Sequence, residues 1–364
     1  LVGVQQVGQV LPAAGGDRKI MVPMTAVFVL LVVPSYLASN QNTFYYGSAY
    51  IFGEDTELGR DIAEIEEIFG KSDTYALMIP RGDKVREEQL SQALHEIPEV
   101  TGILSYVDTV GAQIPEEYLD EELLSQLLSK DYSRMVLTVN ADAEGEEAFA
   151  LVEKIRETAD TYYPDSWYLA GAGVSTYDLM DTITADMVKV NLIAIAAVFV
   201  VLLFTMKSVS LPVFLVLAIE TAVWINVSIP YFKDSTVFYI SYLIISSIQL
   251  GATVDYAILT TERYMEFRQT MDKKKAVSET IAAVTTSLLT SGIVLAVVGY
   301  PMGAISSHRI LSQLGTFLGN GSMLSLTIVL FVLPGLLYLF DRLIEKTTLH
   351  TNFYQKRRRH HESK

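Results

Sequence analysis

The chain has no cysteine in its 364 residues. That excludes disulfides, thiolate metal sites and cysteine nucleophiles. Tryptophan (two) and histidine (five) are scarce. His95, His308, His350, His360 and His361 form no H-E-x-x-H pair, and adjacent His360 and His361 have no further ligands that would make them a metal site. There is no G-x-S-x-G elbow and no G-x-x-x-x-G-K-[ST] phosphate loop. No nucleophile–base arrangement is visible, so the sequence reads as a non-enzyme with no organic cofactor. Basic residues are the minority, 27 Lys and Arg against 42 Asp and Glu, for a net charge of −15. A nucleic-acid binder needs the opposite sign.

Apolar residues are abundant. Half the chain is hydrophobic and mean hydropathy is +0.31, too apolar for an ordinary soluble domain. Runs at residues 20–38, 188–206, 211–229, 238–259 and 281–300, and one within 314–340, are each long enough to cross a bilayer of about 20 helical residues. The reading is six spans. The charge is unevenly spread: residues 40–185 hold about 30 acids and about 9 bases, and the remainder is net basic. An acidic water-soluble domain is therefore expected after the first span.

Within residues 40–185 the periodicity alternates. Helices are expected at 57–69, 86–97 and 144–162, with an acidic helical stretch at 115–128. Strands are expected at 74–79, 100–107, 133–140 and 166–171. From residue 74 the order is β-α-β, an insertion, then β-α-β, the split βαβ or ferredoxin-like pattern. Residues 18–39 read as transmembrane helix 1, 186–342 as helices 2–6 and 343–364 as a basic tail. Residues 262–279 read as a charged amphipathic helix on the inner surface. Residues 1–17, which begin with Leu1 and no Met, read as a linker or a truncated end, and no cleavable signal peptide is visible.

Orientation follows the basic residues of the short loops. Arg18, Lys19, Lys207, Arg263, Arg268, Lys273, Lys274, Lys275, Arg342, Lys346 and the Arg357-Arg358-Arg359 run fall on one side, expected to be the cytoplasm. Residues 40–185 then lie outside, with the loop at Lys233 and the loop 300–309. The tail could also touch anionic lipid headgroups.

One acid lies deep in the fourth span. Asp255 follows Ser247 and Gly251 at steps of four, so the three share a helix face. A carboxylate in hydrocarbon costs roughly 2.5–3.5 kcal/mol on insertion scales, which makes such an acid a functional candidate. It can hold and release a proton, or lock helix packing through a hydrogen bond. Tyr256 can donate a hydrogen bond to a facing carboxylate, and Gly251 allows a close helix neighbour. In the next span Thr285, Thr286, Ser287, Thr290 and Ser291 line a water path or simply pack. Glu220, near the centre of the third span, is either a second protonatable site or a structural acid bonded to Trp224 or a hydroxyl. Tyr45, Tyr46, Tyr50, Tyr162, Tyr163, Tyr168 and Tyr177 are available to an amphipathic path, although interfacial tyrosine is expected anyway.

The arrangement of one span, a large acidic domain and five further spans resembles half of a resistance–nodulation–division transporter. Within that superfamily it resembles the MMPL (mycobacterial membrane protein large) family. Gly251, Asp255 and Tyr256 within QLGATVDYAILTTERYMEFR carry the resemblance, with TTSLLTSG at residues 285–292. The resemblance implies a C-terminal half. It also implies a membrane α-helical bundle with the ferredoxin-like α+β domain as an extracytoplasmic porter domain, and a location in the cytoplasmic membrane. Asp255 and Tyr256 would form a proton relay driven by the proton gradient, meeting the equivalent pair of a second six-helix half. That half would lie in the same polypeptide or in a homo- or hetero-oligomer partner. Cargo would be lipid or another hydrophobic or amphipathic molecule, exported across or out of the membrane. Two other classes fit the same features: a Sec-associated, proton-driven protein-export accessory, and a lipid-sensing scaffold that transports nothing.

Overall fold

The computed structural model describes residues 18–349 and Phe353. The expected linker at 1–17, the tail beyond Leu349 apart from Phe353, and His350, His360 and His361 lie outside the described residues. The described chain divides into two compact units. One is Tyr45–Met187; the other takes the chain up to Phe44 and from Val188 onward.

Helix α1 (Arg18–Ser39) contains Pro23 and Pro34. Its end is closed by side chains: Ser39 Oγ and Asn40 Nδ2 both donate to the Tyr36 carbonyl, at 2.8 and 2.7 Å.

The Tyr45–Met187 unit opens with α2 (Glu57–Phe69). Thr56 Oγ1 accepts from Gly59 N at 3.1 Å, an N-cap, and the helix stops at Gly70, whose φ of +80° favours glycine. Then come β1 (Asp73–Pro80), α3 (Lys84–His95), β2 (Val100–Leu104), α4 (Tyr106–Thr109), α5 (Glu121–Leu127), β3 (Tyr132–Val139), α6 (Glu146–Tyr162) and β4 (Tyr168–Gly171). The sheet order is β2-β3-β1-β4, with every neighbouring pair antiparallel. Alternation sets the core: Tyr75, Leu77 and Ile79 of β1 and Met135, Leu137 and Val139 of β3 are fully buried. Leu90, Leu94, Val152 and Ile155 of α3 and α6 belong to the same cluster.

Helix α2 forms where the periodicity expects it, but its apolar face is not core. Leu58, Ile62, Ile65, Ile68 and Phe69 are all exposed.

Helix α7 (Ala172–Met206) leads out of this unit. The bundle continues with α8 (Ser210–Phe232), α9 (Tyr239–Arg268), α10 (Lys273–Ile305) and α11 (Arg309–Thr327). A π-helical turn, Ile328–Val332, joins α11 to α12 (Leu333–Leu339), and α13 (Asp341–Thr347) follows. Pro334 has no N–H to offer the turn before it, so the backbone ladder is interrupted there. Among the described residues six helices are long and apolar enough to cross a membrane. They are Met21–Ser39, Ala172–Met206, Ser210–Phe232, Tyr239–Arg268, Lys273–Ile305 and Arg309–Leu339.

Residues 262–279 are not a separate surface helix. They are the ends of α9 and α10, joined by a turn at residues 269–272. Charge at a span end is compatible with a helix that simply continues past the apolar segment, and packing extends both helices. Tyr264 and Ala276 are fully buried in the bundle core with Leu333 and Leu337.

Helices α10 and α11 approach to backbone contact through glycine. A Cβ on Gly299 would stand 2.6 Å from Gly319 N and 2.7 Å from Gly315 O, and one on Gly315 would stand 2.4 Å from Gly303 N. Small residues at four-residue steps on both helices make that approach possible.

Candidate functional site

Helix α9 has two polar faces, and the structure separates them. Ser247, Gly251 and Asp255 lie on an exposed face. Nothing lies within 4 Å of the position a Gly251 Cβ would take. The close helix approach expected at Gly251 is therefore not made by any described helix. Asp255 has no hydrogen-bond or ion-pair partner among the described residues.

The other face is buried. Ile245, Gln249, Thr253, Tyr256, Thr260 and Tyr264 follow one another by three or four residues and all point into the bundle. Tyr256 thus faces away from Asp255, although it is next in sequence. Its hydroxyl lies 2.9 Å from Ser291 Oγ on α10, so its partner is a hydroxyl rather than a carboxylate. Ser287, Thr290 and Ser291 are exposed, while Thr285 is buried. Thr285 Oγ1 donates to the Ile281 carbonyl at 2.6 Å and Thr290 Oγ1 to the Thr286 carbonyl at 2.8 Å. Those two hydroxyls are bonded to their own helix.

Glu220 on α8 is buried at 5% exposure, between Ala218 and Ala222 of an apolar cluster that includes Phe28, Ile328 and Leu336. It has no hydrogen bond among the described residues. The expected bond to Trp224 is absent. The Trp224 ring instead meets Tyr36 edge-on at 5.0 Å.

Two groups escaped the sequence reading. The first joins three spans through amides. Asn226 Nδ2 on α8 donates to Gln249 Oε1 on α9 at 2.8 Å and to the Phe317 carbonyl on α11 at 2.9 Å. Thr253 Oγ1 donates to the Gln249 carbonyl at 2.6 Å, and the Ser325 hydroxyl lies 2.7 Å from Thr253 Oγ1. A Cβ on Gly321 would stand 2.6 Å from Gln249 Oε1 and 2.8 Å from Asn226 Nδ2. The signal was present as polar residues recurring at helical spacing in α9, but Asp255 outweighed it.

The second group is an ion pair. Arg268 Nε and an Nη donate to the two Asp341 oxygens at 2.7 and 3.0 Å, with Tyr264 Oη on the same carboxylate at 2.7 Å. Both side chains are buried, at 5% and 7% exposure. The partners are 73 residues apart, beyond any local sequence pattern.

Two cavities lie along α11, one lined by Phe317 and the other by Gln249. One, of about 150 Å³, lies at the bundle end that carries the α8–α9 turn, and Lys233, Ser235, Gln313, Thr316, Phe317 and Asn320 line it. The other, of about 10 Å³, lies further along α11, against Gln249, Thr253, Tyr256, Gly321, Ser322 and Ser325.

Six apolar helices carrying an acid in mid-span, together with a separate α/β unit, define a multi-pass membrane protein. The chain belongs to the MMPL family, whose model matches residues 51–363. Among solved structures it is similar to a heavy metal efflux pump (crystal form II), at 15% identity and a TM-score of 0.46. The match covers 74% of this chain and 36% of that one, so the chain spans about a third of the length of that structure. No curated protein matches it.

Proposed function

We propose that this chain is one half of a proton-driven transporter of the resistance–nodulation–division type, exporting lipids or other amphipathic molecules across or out of the cytoplasmic membrane. Asp255 is its proton-binding group and Tyr256 its neighbour in the relay. The observation that carries the reading is the exposed Ser247–Gly251–Asp255 face in the middle of a span. A bare carboxylate facing lipid is costly, and a second six-helix half laid on this face removes it from lipid. Family membership supports a transport role. The sheet order β2-β3-β1-β4 supports reading the α/β unit as a ferredoxin-like porter domain. The basic loops support a cytoplasmic tail and an exported 40–185 domain. Thr285, Ser287, Thr290 and Ser291 then serve helix packing, with Ser291 as the hydroxyl next to Tyr256.

The test is proton flux in liposomes with an internal pH dye under an imposed gradient. Asp255→Asn keeps size and hydrogen bonding but cannot ionise. Its expected flux is down by about 100-fold or more, the loss typical of removing a proton-transfer group. Equal flux in a folded Asp255→Asn protein would leave the acid structural and favour a scaffold.

A further inference from the structure

The Asn226–Gln249 amide pair has a fixed orientation. The Phe317 carbonyl can only accept, so the nitrogen of Asn226, not its oxygen, must face it. The second N–H of that amide then meets Gln249 Oε1. Gln249 Nε2 is consequently turned away, and it and Asn226 Oδ1 are buried polar atoms without a partner among the described residues. The two residues are 4% and 0% exposed. A buried donor left without an acceptor costs about 1–3 kcal/mol.

The 10 Å³ cavity lies against Gln249. That volume is about one water; the lining is mostly apolar, with Ile245, Ile248, Leu295 and Leu318, and Gln249, Tyr256 and Ser325 are the polar side chains that can hold a water in it. Gln249 Nε2 can donate to a water there. Thr253 uses its single hydroxyl hydrogen on the Gln249 carbonyl, so Ser325 must donate to Thr253 Oγ1 and keeps its lone pairs free to accept. Tyr256 Oη, a donor and an acceptor, lines the same space. On α11 the 150 Å³ cavity is lined by Ser312, Gln313, Thr316, Phe317 and Asn320, and the small one by Leu318, Gly321, Ser322 and Ser325. Gln249 of the amide pair lines the small cavity, and Phe317, whose carbonyl accepts from Asn226, lines the larger one.

We propose that Asn226 and Gln249 gate a water path inside the bundle, running from the cavity at Lys233 to a single-water site against Tyr256 and on to Ser291. The proposal rests on the proton-transport reading above. When the pair parts, water in the larger cavity connects to the site water. A proton arriving on that water passes to Tyr256 Oη as Tyr256 gives its own proton to Ser291 Oγ, and Ser291, exposed on α10, releases its own hydroxyl proton in turn, so every side chain ends with the charge it began with. Gln249 is a positioning residue: it holds the water and does not ionise. Gly321 keeps the pair closed, because any side chain there pushes against both amides.

The test uses the full chain and has two arms. In the first, radiolytic labelling with ¹⁸O water is read at Tyr256, and Tyr264, fully buried elsewhere in the core, is the buried control. Gln249→Met keeps the volume and removes the amide. The expected result is a labelled Tyr256 in the unsubstituted protein and a loss of that label, to the level of Tyr264, in Gln249→Met at unchanged melting temperature. An unsubstituted protein in which Tyr256 labels no more than Tyr264 overturns the water site. The second arm is liposome proton flux. Gln249→Met is expected to lower it about tenfold or more, as breaking a relay does, and Gly321→Ala to raise the leak by wedging the pair apart. Flux that survives Gln249→Met but is lost in Asp255→Asn overturns the gate and leaves the transport reading standing. A Tyr256 label that depends on Gln249 in a protein that moves no protons supports the water site and overturns the transport reading.

Discussion

Burial acts differently on each acid. Asp255 is exposed on a helix face, Glu220 is buried without a hydrogen bond among the described residues, and Asp341 is buried against Arg268. Removing one member of a buried ion pair strands the other. Asp341→Asn is therefore expected to cost about 3–5 kcal/mol, seen as a lowered melting temperature in detergent; no change would mean that Arg268 reaches water. In the α/β unit, Glu87 is 4% exposed and accepts from Ser133 Oγ at 2.8 Å. Burial first of all, with a smaller opposing effect of the Ser133 bond, holds its carboxyl above the usual value of 4.5. The folded state then binds the proton more tightly than the unfolded chain. The stabilisation this gives is full below about pH 4.5 and fades as pH rises through the folded value. Glu87→Gln should flatten that dependence and raise stability at neutral pH, measured by thermal unfolding from pH 4 to 8. A slope unchanged by the substitution would assign the dependence to other groups.

Among the elements, periodicity placed the strands and longer helices of the α/β unit to within a few residues, because alternation and amphipathic spacing are local properties. It missed α4, where the strand expected at 100–107 stops at Leu104 and Tyr106–Thr109 turn into a helix capped by Ser105. It did not say which apolar face becomes core. The stripe on α2 has the same form as the buried one on α3, yet Leu58, Ile62 and Ile65 are exposed and Leu90 and Leu94 are not. The charged stretch at 262–279 was misplaced for a related reason: composition marks where apolar character stops, while packing of Tyr264 and Ala276 carries the helices on. The glycines at the α10–α11 contact, Gly299, Gly303, Gly315 and Gly319, gained meaning only from the facing helix. Gly299→Val places methyl groups against the α11 backbone and is expected to destabilise by about 1–3 kcal/mol. Thermal unfolding in detergent reads this, and an unshifted midpoint would show that the two helices can separate without cost.

Taken whole, the described residues leave the α9 face at Ser247, Gly251 and Asp255 uncovered. Gly251→Trp therefore has room within this chain and should leave its melting temperature within about 1 kcal/mol of stability, as surface substitutions do. If a second half packs on that face, the same substitution abolishes proton flux. A Trp variant with full flux would place the partner elsewhere.

The sequence by itself determined the six apolar helices, the acidic domain between the first two and the mid-span acid, because hydropathy, charge and helical spacing are properties of neighbouring residues. It carried the family membership too, through the residues around Asp255 and Tyr256. Only the tertiary structure decided that these two neighbours serve different faces of α9, one exposed and one buried, that Gly251 meets no other described helix, and that Gln249 joins Asn226 across Gly321. About 100° of helical rotation separates consecutive side chains. Which of them meets another helix depends on partners 23 to 91 residues away, and no local pattern records such distances.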